Sequence, residues 1–456
     1  MAKLENGINA WIFLDEDEPP NTTYNNPDSC YQSLIRSRVY DSATFLGIAF
    51  FKVIPATLGS TIQIGDKSHT VSSSESLSNQ DYLNFVLRDA RQVNPGIKFL
   101  ATMVYSGDST LASIFSGSGD PQTQATQFAS NLIDYLKESG MNGLDIDWEP
   151  PLSSDMTPAQ FQILFSTIRK VFDQQPVKYY LSIAPAWSQG AIDYSTLEGL
   201  FDFVSPQFYD GTSLQDFLGA KVPPSLIGYG AQFEPGNSAP NASAQQVWNT
   251  VAEGFSFNST QYDYQDIFMW RLNSGNFQFE QAQFMILDQL GNPPTGNAFD
   301  DTPIVSAAGN PNLTQVTIRS GDVLDAIQAV NTGNGPYNFG TAPNTKTGTF
   351  TLLQHGGNGG HAQTITIPLD DPIVSVSGYT GVWYGWQCVL QLTLTGKSGT
   401  SYGPFGSMAG ATSRNPFVQA APAGQSVVGF SGSTVTVPLA GGNQTAIIAT
   451  LKAAFA

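Results

Sequence analysis

A chain of 456 residues exceeds one ordinary hydrophobic core and suffices for two domains. Its 41% hydrophobic content is globular, yet only 12% of residues are charged against about a quarter in an average domain; with 44 glycines and 28 prolines this suits a loop-rich, β-containing, extracellular or exported protein. A formal charge of −18 argues against nucleic acid and anionic membrane as partners and suits a neutral ligand such as a sugar.

In chain order, INAWIFLD (8–15) and TFLGIAFF (44–51) predict two strands, and the Ser/Thr/Gly-rich stretch 52–78 reads as an irregular excursion. A helix over 77–93 precedes the strand IKFLATMVY (97–105), and a helix over 122–140 ends at Gly140. GLDIDWE (143–149) is the fourth strand, followed by a helix over 157–174 that Thr157 caps. YYLSIAP (179–185), FDFVSPQFY (201–209), SLIGYG (225–230) and IFMWRLNS (267–274) predict strands five to eight, with helical patterns at 243–255 and 279–290. Eight strand-then-helix units within about 290 residues are the arithmetic of a (β/α)₈ TIM barrel. A doubly wound open sheet is the competitor, and the first strand lacks the Gly-rich phosphate loop that fold uses. The predicted barrel occupies residues 1–292. GNPPTGNAFDD opens a predicted linker over 293–311, and 312–456 is a run of short strands with Gly corners, an all-β sandwich or prism.

The run GLDIDWEP (143–150) carries Asp145, Asp147 and Glu149 at every second position. Strand side chains alternate, so the carboxylates share one face and Ile146 with Trp148 share the other. Apolar residues suit the helix side of a barrel, which turns the carboxylates toward the axis with Glu149 nearest the C-terminal mouth, where the active sites of this fold lie. Burial and mutual repulsion raise carboxyl pKa values, so protons are shared below and Glu149 on top has the character of a general acid. No His or further carboxylate cluster completes a metal shell, and no metal or other cofactor is expected. His69, His355 and His361 make no metal site; His355 and His361 flank a glycine loop as solvated residues. Cys30 and Cys388 form no disulfide framework. No run of 18 apolar residues predicts membrane insertion. MAKLENGINAW lacks the apolar stretch of a signal peptide, which leaves another export route, a removed leader or an intracellular protein open.

NGLDIDWE resembles the strand-four signature D-G-x-D-x-D-x-E of family-18 glycoside hydrolases, the chitinases and endo-β-N-acetylglucosaminidases. SPQFYD (205–210) resembles that family's sixth strand, with Gln207 and Tyr209 at its catalytic-site positions, and IFMWRLNS its eighth, with Trp270 flooring the sugar site. The resemblance implies substrate-assisted retaining hydrolysis. Glu149 would protonate the glycosidic oxygen, Asp147 orient the 2-acetamido group, Asp145 tune Asp147, and Tyr209 hold the acetamido carbonyl. The implied substrate is a β-1,4-linked N-acetylglucosamine glycan: chitin or its oligosaccharides, or the core of N-glycans. The implied activity is endo-acting; a non-catalytic chitinase-like lectin or toxin component is the alternative. The sequence departs from the signature at Asn142, and at strand three, where Thr102-Met103-Val104-Tyr105 replaces S-x-G-G and puts a bulky Tyr105 beside the sugar groove. Trp187 and Trp11, near strand ends, are further candidates for sugar contact.

HGGNGGHAQTITIPLDDPIVSVSGYTG (355–381), SYGPFG (401–406) and VVGFSGS (427–433) resemble jacalin-related lectins, which implies a β-prism that binds carbohydrate. Gly356, Gly357, Gly359 and Gly360 fit the first of that family's two sugar-binding loops. The second, G-x-x-x-D, would begin at Gly429 or Gly432, where no Asp follows. Trp383 and Trp386 offer an aromatic site of their own. The sequence implies no oligomeric state.

Overall fold

The computed structural model describes residues 4–14, 23–186, 194–234, 239–293, 296–333, 337–339, 342–344, 348–438 and 443–456. The chain divides into two compact units, Met1–Glu280 and Gln281–Ala456.

In the first unit eight parallel strands run in the order Tyr229–Gln232, Ile267–Trp270, Ile8–Phe13, Phe45–Ala56, Lys98–Met103, Gly143–Trp148, Tyr180–Pro185 and Phe203–Val204. A parallel bridge from Val204 to Ile227 joins the last strand back to the first, with Gly228 donating its N–H to the Val204 carbonyl at 2.7 Å. The sheet therefore closes into a barrel, and closure removes every exposed edge. The predicted TIM fold is present. Its helices form where the 3.6-residue pattern placed them: Asn79–Val93 and Pro158–Asp173 open on full capping boxes at Ser78 and Thr157, and Pro121–Ser139 ends on Gly140 at φ 71°.

Two segments differ from expectation. Residues 52–78 are not irregular: the second strand runs on to Ala56 and turns into Gly59–Ile64, which pairs antiparallel with it, and Ser68–Ser72 pairs with Glu75–Ser78. Serine and threonine are compatible with strands, so their abundance did not distinguish a hairpin from a loop. The sixth strand keeps only Phe203–Val204, and Phe208–Asp210 forms a 3₁₀ turn beyond Pro206. Proline has no N–H to continue the ladder.

Among the described residues the second unit holds three larger antiparallel sheets and the two-stranded pair Tyr337–Phe339 with Ala342–Asn344, and the all-β prism expected of it is present. One joins Ala298–Asp300 to Val427–Pro438 and Gln444–Phe455; the second is built on Asn312–Ser320 and Leu324–Thr332; the third on Ile373–Trp383 and Trp386–Gly396. Val323, Cys388, Leu390, Val437 and Ile447 meet in one core drawn from all three. The expected linker over 293–311 is largely folded: Ala298–Asp300 is a sheet strand, Thr302–Ala307 is a helix, and buried Asp301 accepts the Phe430 N–H at 2.9 Å. Gly/Pro-rich composition marks turns as readily as linkers, and here it marks the turns around a sheet's first strand. His355 is likewise not a solvated loop residue; it stacks on Phe299 at 4.1 Å and bonds Asp301 at 2.8 Å. Cys30 and Cys388 are both buried and neither belongs to a disulfide among the described residues. Among the described residues, no helix is long and apolar enough to cross a membrane.

Candidate active site

The Gly143–Trp148 strand alternates as its sequence dictates. Trp148 packs outward, edge-on to Phe161 of the Pro158–Asp173 helix at 5.2 Å, and Leu144 and Ile146 are fully buried. The carboxylates line the barrel. Gly143 admits no side chain, because a Cβ there would lie 2.2 Å from the Tyr180 carbonyl oxygen.

Asp145 is the deepest, 1% exposed. The parallel register sets Thr102 and Ser182 beside it on the flanking strands. Trp11 Nε1 donates to it at 2.9 Å, Thr102 Oγ1 at 3.0 Å and Ser182 Oγ at 2.6 Å. Burial pushes its pKa up, and these donors pull back against that. Asp147, one step higher, is also buried. Burial first, then the Glu149 charge and a hydrogen bond to Glu149, hold its carboxyl well above the ordinary range. Glu149 is half-buried and raised as well, by burial foremost, with the Asp210 charge adding and hydrogen bonds from Asp147 and Gln207 opposing. Both carboxyls of the pair are therefore biased toward the protonated form, Asp147 the more strongly. Gln207 Nε2 fastens the pair from just beyond the sixth strand, donating to Asp147 at 2.8 Å, to Glu149 at 3.1 Å and to the Ala184 carbonyl at 3.0 Å.

Above the pair opens a cavity of about 300 Å³. That volume lies at the low end for small-molecule sites. Its lining brings together Asp145, Asp147, Glu149, Tyr209, Gln207, Trp270, Tyr105 and Trp11, candidates on or just beyond five barrel strands. Tyr209 is 5% exposed; burial foremost, and then the surrounding carboxylates, raise its phenol well above its usual value, so it stays protonated as a donor. Tyr105 stands at the mouth, raised by burial and by the Glu149 and Asp147 charges. Trp11 takes a role other than the expected sugar contact. It is 2% exposed, its ring stacks on Phe268 at 3.8 Å and its N–H is spent on Asp145, so it holds a carboxylate rather than offering a platform. Trp187 lies outside the described residues.

The sequence reading missed Phe13, Phe50, Thr102, Ala184 and Asp210, all of which line the cavity. Phe13 shares its strand face with Trp11, and Asp210 directly follows Tyr209, so both carried a signal. Phe50 sits at an irregularity in the strand register, where simple alternation fails.

The buried acids make a prediction. Asp266 is fully buried, bonded by Ser205 at 3.0 Å through one oxygen while the other has no partner among the described residues, and burial pushes it up to about 8. Glu280 rises to about 8 and Glu234 to about 7 by burial, and Asp145, Asp147 and Glu149 are also raised. A folded-state pKa above the unfolded value means the native chain binds more protons, so stability is full below the unfolded pKa and is lost as pH rises through the folded one. The barrel's unfolding temperature is expected to be higher at pH 5 than at pH 8. Asp266→Asn, which removes the acid with the unpartnered oxygen, flattens that slope in a pH series of thermal melts.

In the prism, Gly356, Gly357, Gly359 and Gly360 form a loop whose carbonyls Arg319 grips, Nε to Gly359 at 2.9 Å and Nη2 to Asn358 at 2.8 Å. A Cβ on Gly359 or Gly360 would lie 2.3 or 2.5 Å from the Asp325 carboxylate oxygens. The loop expected to begin at Gly429 or Gly432 is absent, because both lie inside the continuous strand Val427–Pro438. The G-x-x-x-D run beside the glycine loop is instead Gly321–Asp325, and Asp325 was not among the expected residues. Trp383 packs against the prism core, while Tyr384 and Trp386 are 70% and 37% exposed.

A closed parallel barrel with a buried pair of raised-pKa carboxyls and aromatic walls at its mouth has the equipment of a carbohydrate hydrolase. The family follows from the sequence: the model for glycosyl hydrolases family 18 matches residues 21–277, more than half of the chain, and the chain belongs to that family. Residues 287–437 match the jacalin-like lectin domain. Chitinase A1 of Niallia circulans is 24% identical over 181 residues, 36% of this chain and 25% of that protein. Endochitinase 1 of Metarhizium robertsii is 25% identical over 142 residues, 30% of this chain and 33% of that protein. The chain thus spans a third or less of the length of these relatives. Among solved structures, a family-18 chitinase of Flavobacterium johnsoniae aligns with 64% of this chain and 94% of its own, at 15% identity and a TM-score of 0.42.

Proposed function

We propose that the barrel is an endo-acting glycosidase that cleaves β-1,4 links next to N-acetylglucosamine in chitin or chitooligosaccharides, and that the prism holds the glycan. The observation that carries this reading is the coupled Asp147–Glu149 pair, fastened by Gln207 and facing a cavity walled by Tyr209 and Trp270. The two carboxyls lie side by side, both held by Gln207 Nε2, on one side of the cavity. A conventional retaining enzyme needs its carboxyls about 5–5.5 Å apart across the scissile bond. Adjacent carboxyls favour a nucleophile supplied by the substrate. The proton shared with Asp147 passes to Glu149 and from there to the glycosidic oxygen. As that bond breaks, the 2-acetamido oxygen closes on the anomeric carbon, and Asp147, now anionic, stabilises the charge on the acetamido nitrogen. Tyr209 donates to the acetamido group. Glu149, now a carboxylate, takes a proton from water, whose oxygen opens the ring intermediate with net retention.

In the prism, the Gly356–Gly360 loop and Asp325 supply adjacent backbone and carboxylate groups for sugar hydroxyls, and Tyr384 with Trp386 an exposed aromatic edge. Attachment there raises the effective concentration of glycan at the barrel. A second reading, a glycan-binding protein without turnover, draws on Tyr105, which crowds the mouth beside Glu149. Incubating the protein and Glu149→Gln with chitooligosaccharides and with a high-mannose glycoprotein separates the readings. Cleavage of the oligosaccharides by the unsubstituted protein alone is the expected result. Cleavage only of the glycoprotein points to an endo-β-N-acetylglucosaminidase, and binding without cleavage of either substrate overturns the enzyme.

A further inference from the structure

Behind the aromatic wall lies a charged cluster that the chemistry above does not use. Arg271 follows Trp270 and is 5% exposed. Its guanidinium makes a two-pronged contact with Glu234, Nη2 to Oε1 at 2.9 Å and Nε to Oε2 at 3.2 Å. The guanidinium carbon stands 5.4 Å from the centre of the Phe13 ring and 5.6 Å from that of Trp270, and both rings line the cavity. Neither Arg271 nor Glu234 is among the lining residues. A desolvated cation over an aromatic face favours one ring orientation, and the planar fork fixes where the cation sits. The backbone on both sides is already tied, with Asn273 Nδ2 donating to the Phe13 carbonyl at 2.8 Å and its Oδ1 accepting the Phe13 N–H at 3.0 Å. What the cluster controls is therefore the set of the two rings.

We infer that Arg271 and Glu234 are positioning residues that hold the Phe13–Trp270 wall in the orientation a sugar ring stacks on, and so set glycan affinity without touching the glycan. This rests on the reading of the cavity as a sugar site. Among the described residues, the charged groups facing Arg271 include Glu234, at the end of the Tyr229–Gln232 strand, and Glu280, on the Phe277–Gly291 helix and bonded by Ser274. Burial lifts Glu234 to about 7 and Glu280 to about 8, and lowers Arg271 to about 10. Glu234 gains its charge as pH rises through about 7, completing the pair with Arg271, so the wall firms and affinity increases over that interval.

Arg271→Lys keeps the charge and loses the fork, and Glu234→Gln keeps the shape and loses the charge. Two readouts test them. The first is acrylamide quenching of tryptophan fluorescence, with the Trp270 share obtained by subtracting Trp270→Phe; it is expected to rise in both variants without any ligand. The second is binding of N-acetylglucosamine tetramer by calorimetry in a Glu149→Gln background. Affinity is expected to fall ~10-fold, and Glu234→Gln to lose the rise in affinity across pH 7. In turnover, KM rises in the same proportion while kcat stays within ~3-fold, the pattern of lost uniform binding. Unchanged quenching in both variants overturns the inference, as does unchanged affinity. If the Glu149→Gln parent binds no tetramer, the sugar-site reading fails, and quenching still decides whether the pair sets the wall. Glu234→Gln is near-isosteric and carries the test if Arg271→Lys does not fold.

Discussion

Replacing Glu149 by Gln is expected to lower kcat on chitooligosaccharides by ~10²–10⁴-fold, the usual weight of a general acid, with tetramer affinity held within ~3-fold. Glutamine fills the same space and still accepts from Gln207, but it has no proton to give. None of the neighbours replaces it well. Asp145 is tied by Trp11, Thr102 and Ser182, and Asp147 lies one step deeper, bonded to Gln207. Tyr209 has its phenol pushed well above its usual value, which makes it a poor acid. Asp210 is the carboxyl that remains, lining the cavity and raised by burial. Full activity in Glu149→Gln would therefore reassign the acid to Asp210, which Asp210→Asn would then confirm. The pH profile gives an independent check. Glu149 is raised by burial, so the wild-type rate should decline on the alkaline side as the shared proton is lost, and that limb should vanish in Glu149→Gln.

The carboxylate ladder was legible because one rule, the two-residue period of a strand, fixes its parity. Once Ile146 and Trp148 are assigned to the helices, Asp145, Asp147 and Glu149 have one direction left. The partners of that ladder were legible only where they sat in a known segment, as Gln207 and Tyr209 did. Thr102 and Ser182 meet Asp145 through the register of parallel strands, which is set by the closure of the whole sheet and leaves no mark in either strand alone. Trp11 shows the same limit. An aromatic near a strand end reads alike as platform or prop, and what decides is the need of Asp145, 134 residues away, for a donor in a dry interior. Composition misled over 293–311 for a related reason. Glycine and proline announce turns, and turns occur inside sheets as well as between domains, so 293–311 looked like a tether although Asp301 is a buried part of the prism. Asp325 was overlooked because its loop and the Gly356–Gly360 loop are neighbours only after the sheets form.

Replacing Asp147 by Asn is expected to reduce kcat by ~10²-fold or more, comparable to removing one preorganised group from a site of developing charge, and to change the nature of the defect. In the proposed reaction Asp147 acts twice: it shares its proton with Glu149, and it then faces the acetamido nitrogen as an anion while the substrate's own oxygen holds the anomeric carbon. Asparagine does neither, although it keeps the bond to Gln207 and the packing. The pair loses its last proton against the charge of the partner carboxylate, so with Asp147 gone the remaining carboxyl ionises more readily and the alkaline limb of the residual activity should move to lower pH than in the wild type. Stereochemistry separates this mechanism from its rival. Attack by the substrate's acetamido group followed by water retains the anomeric configuration, so proton NMR of the wild-type reaction should show the β-anomer first. An α-anomer would mean direct attack by water, with Asp210 the carboxylate left to act as base. Analogues lacking the 2-acetamido group supply the last test. They should bind the wall formed by Phe13 and Trp270 and remain uncut, and Asp147→Asn should then cost nothing further. Cleavage of such an analogue at a normal rate would remove the substrate from the role of nucleophile and return it to a side chain.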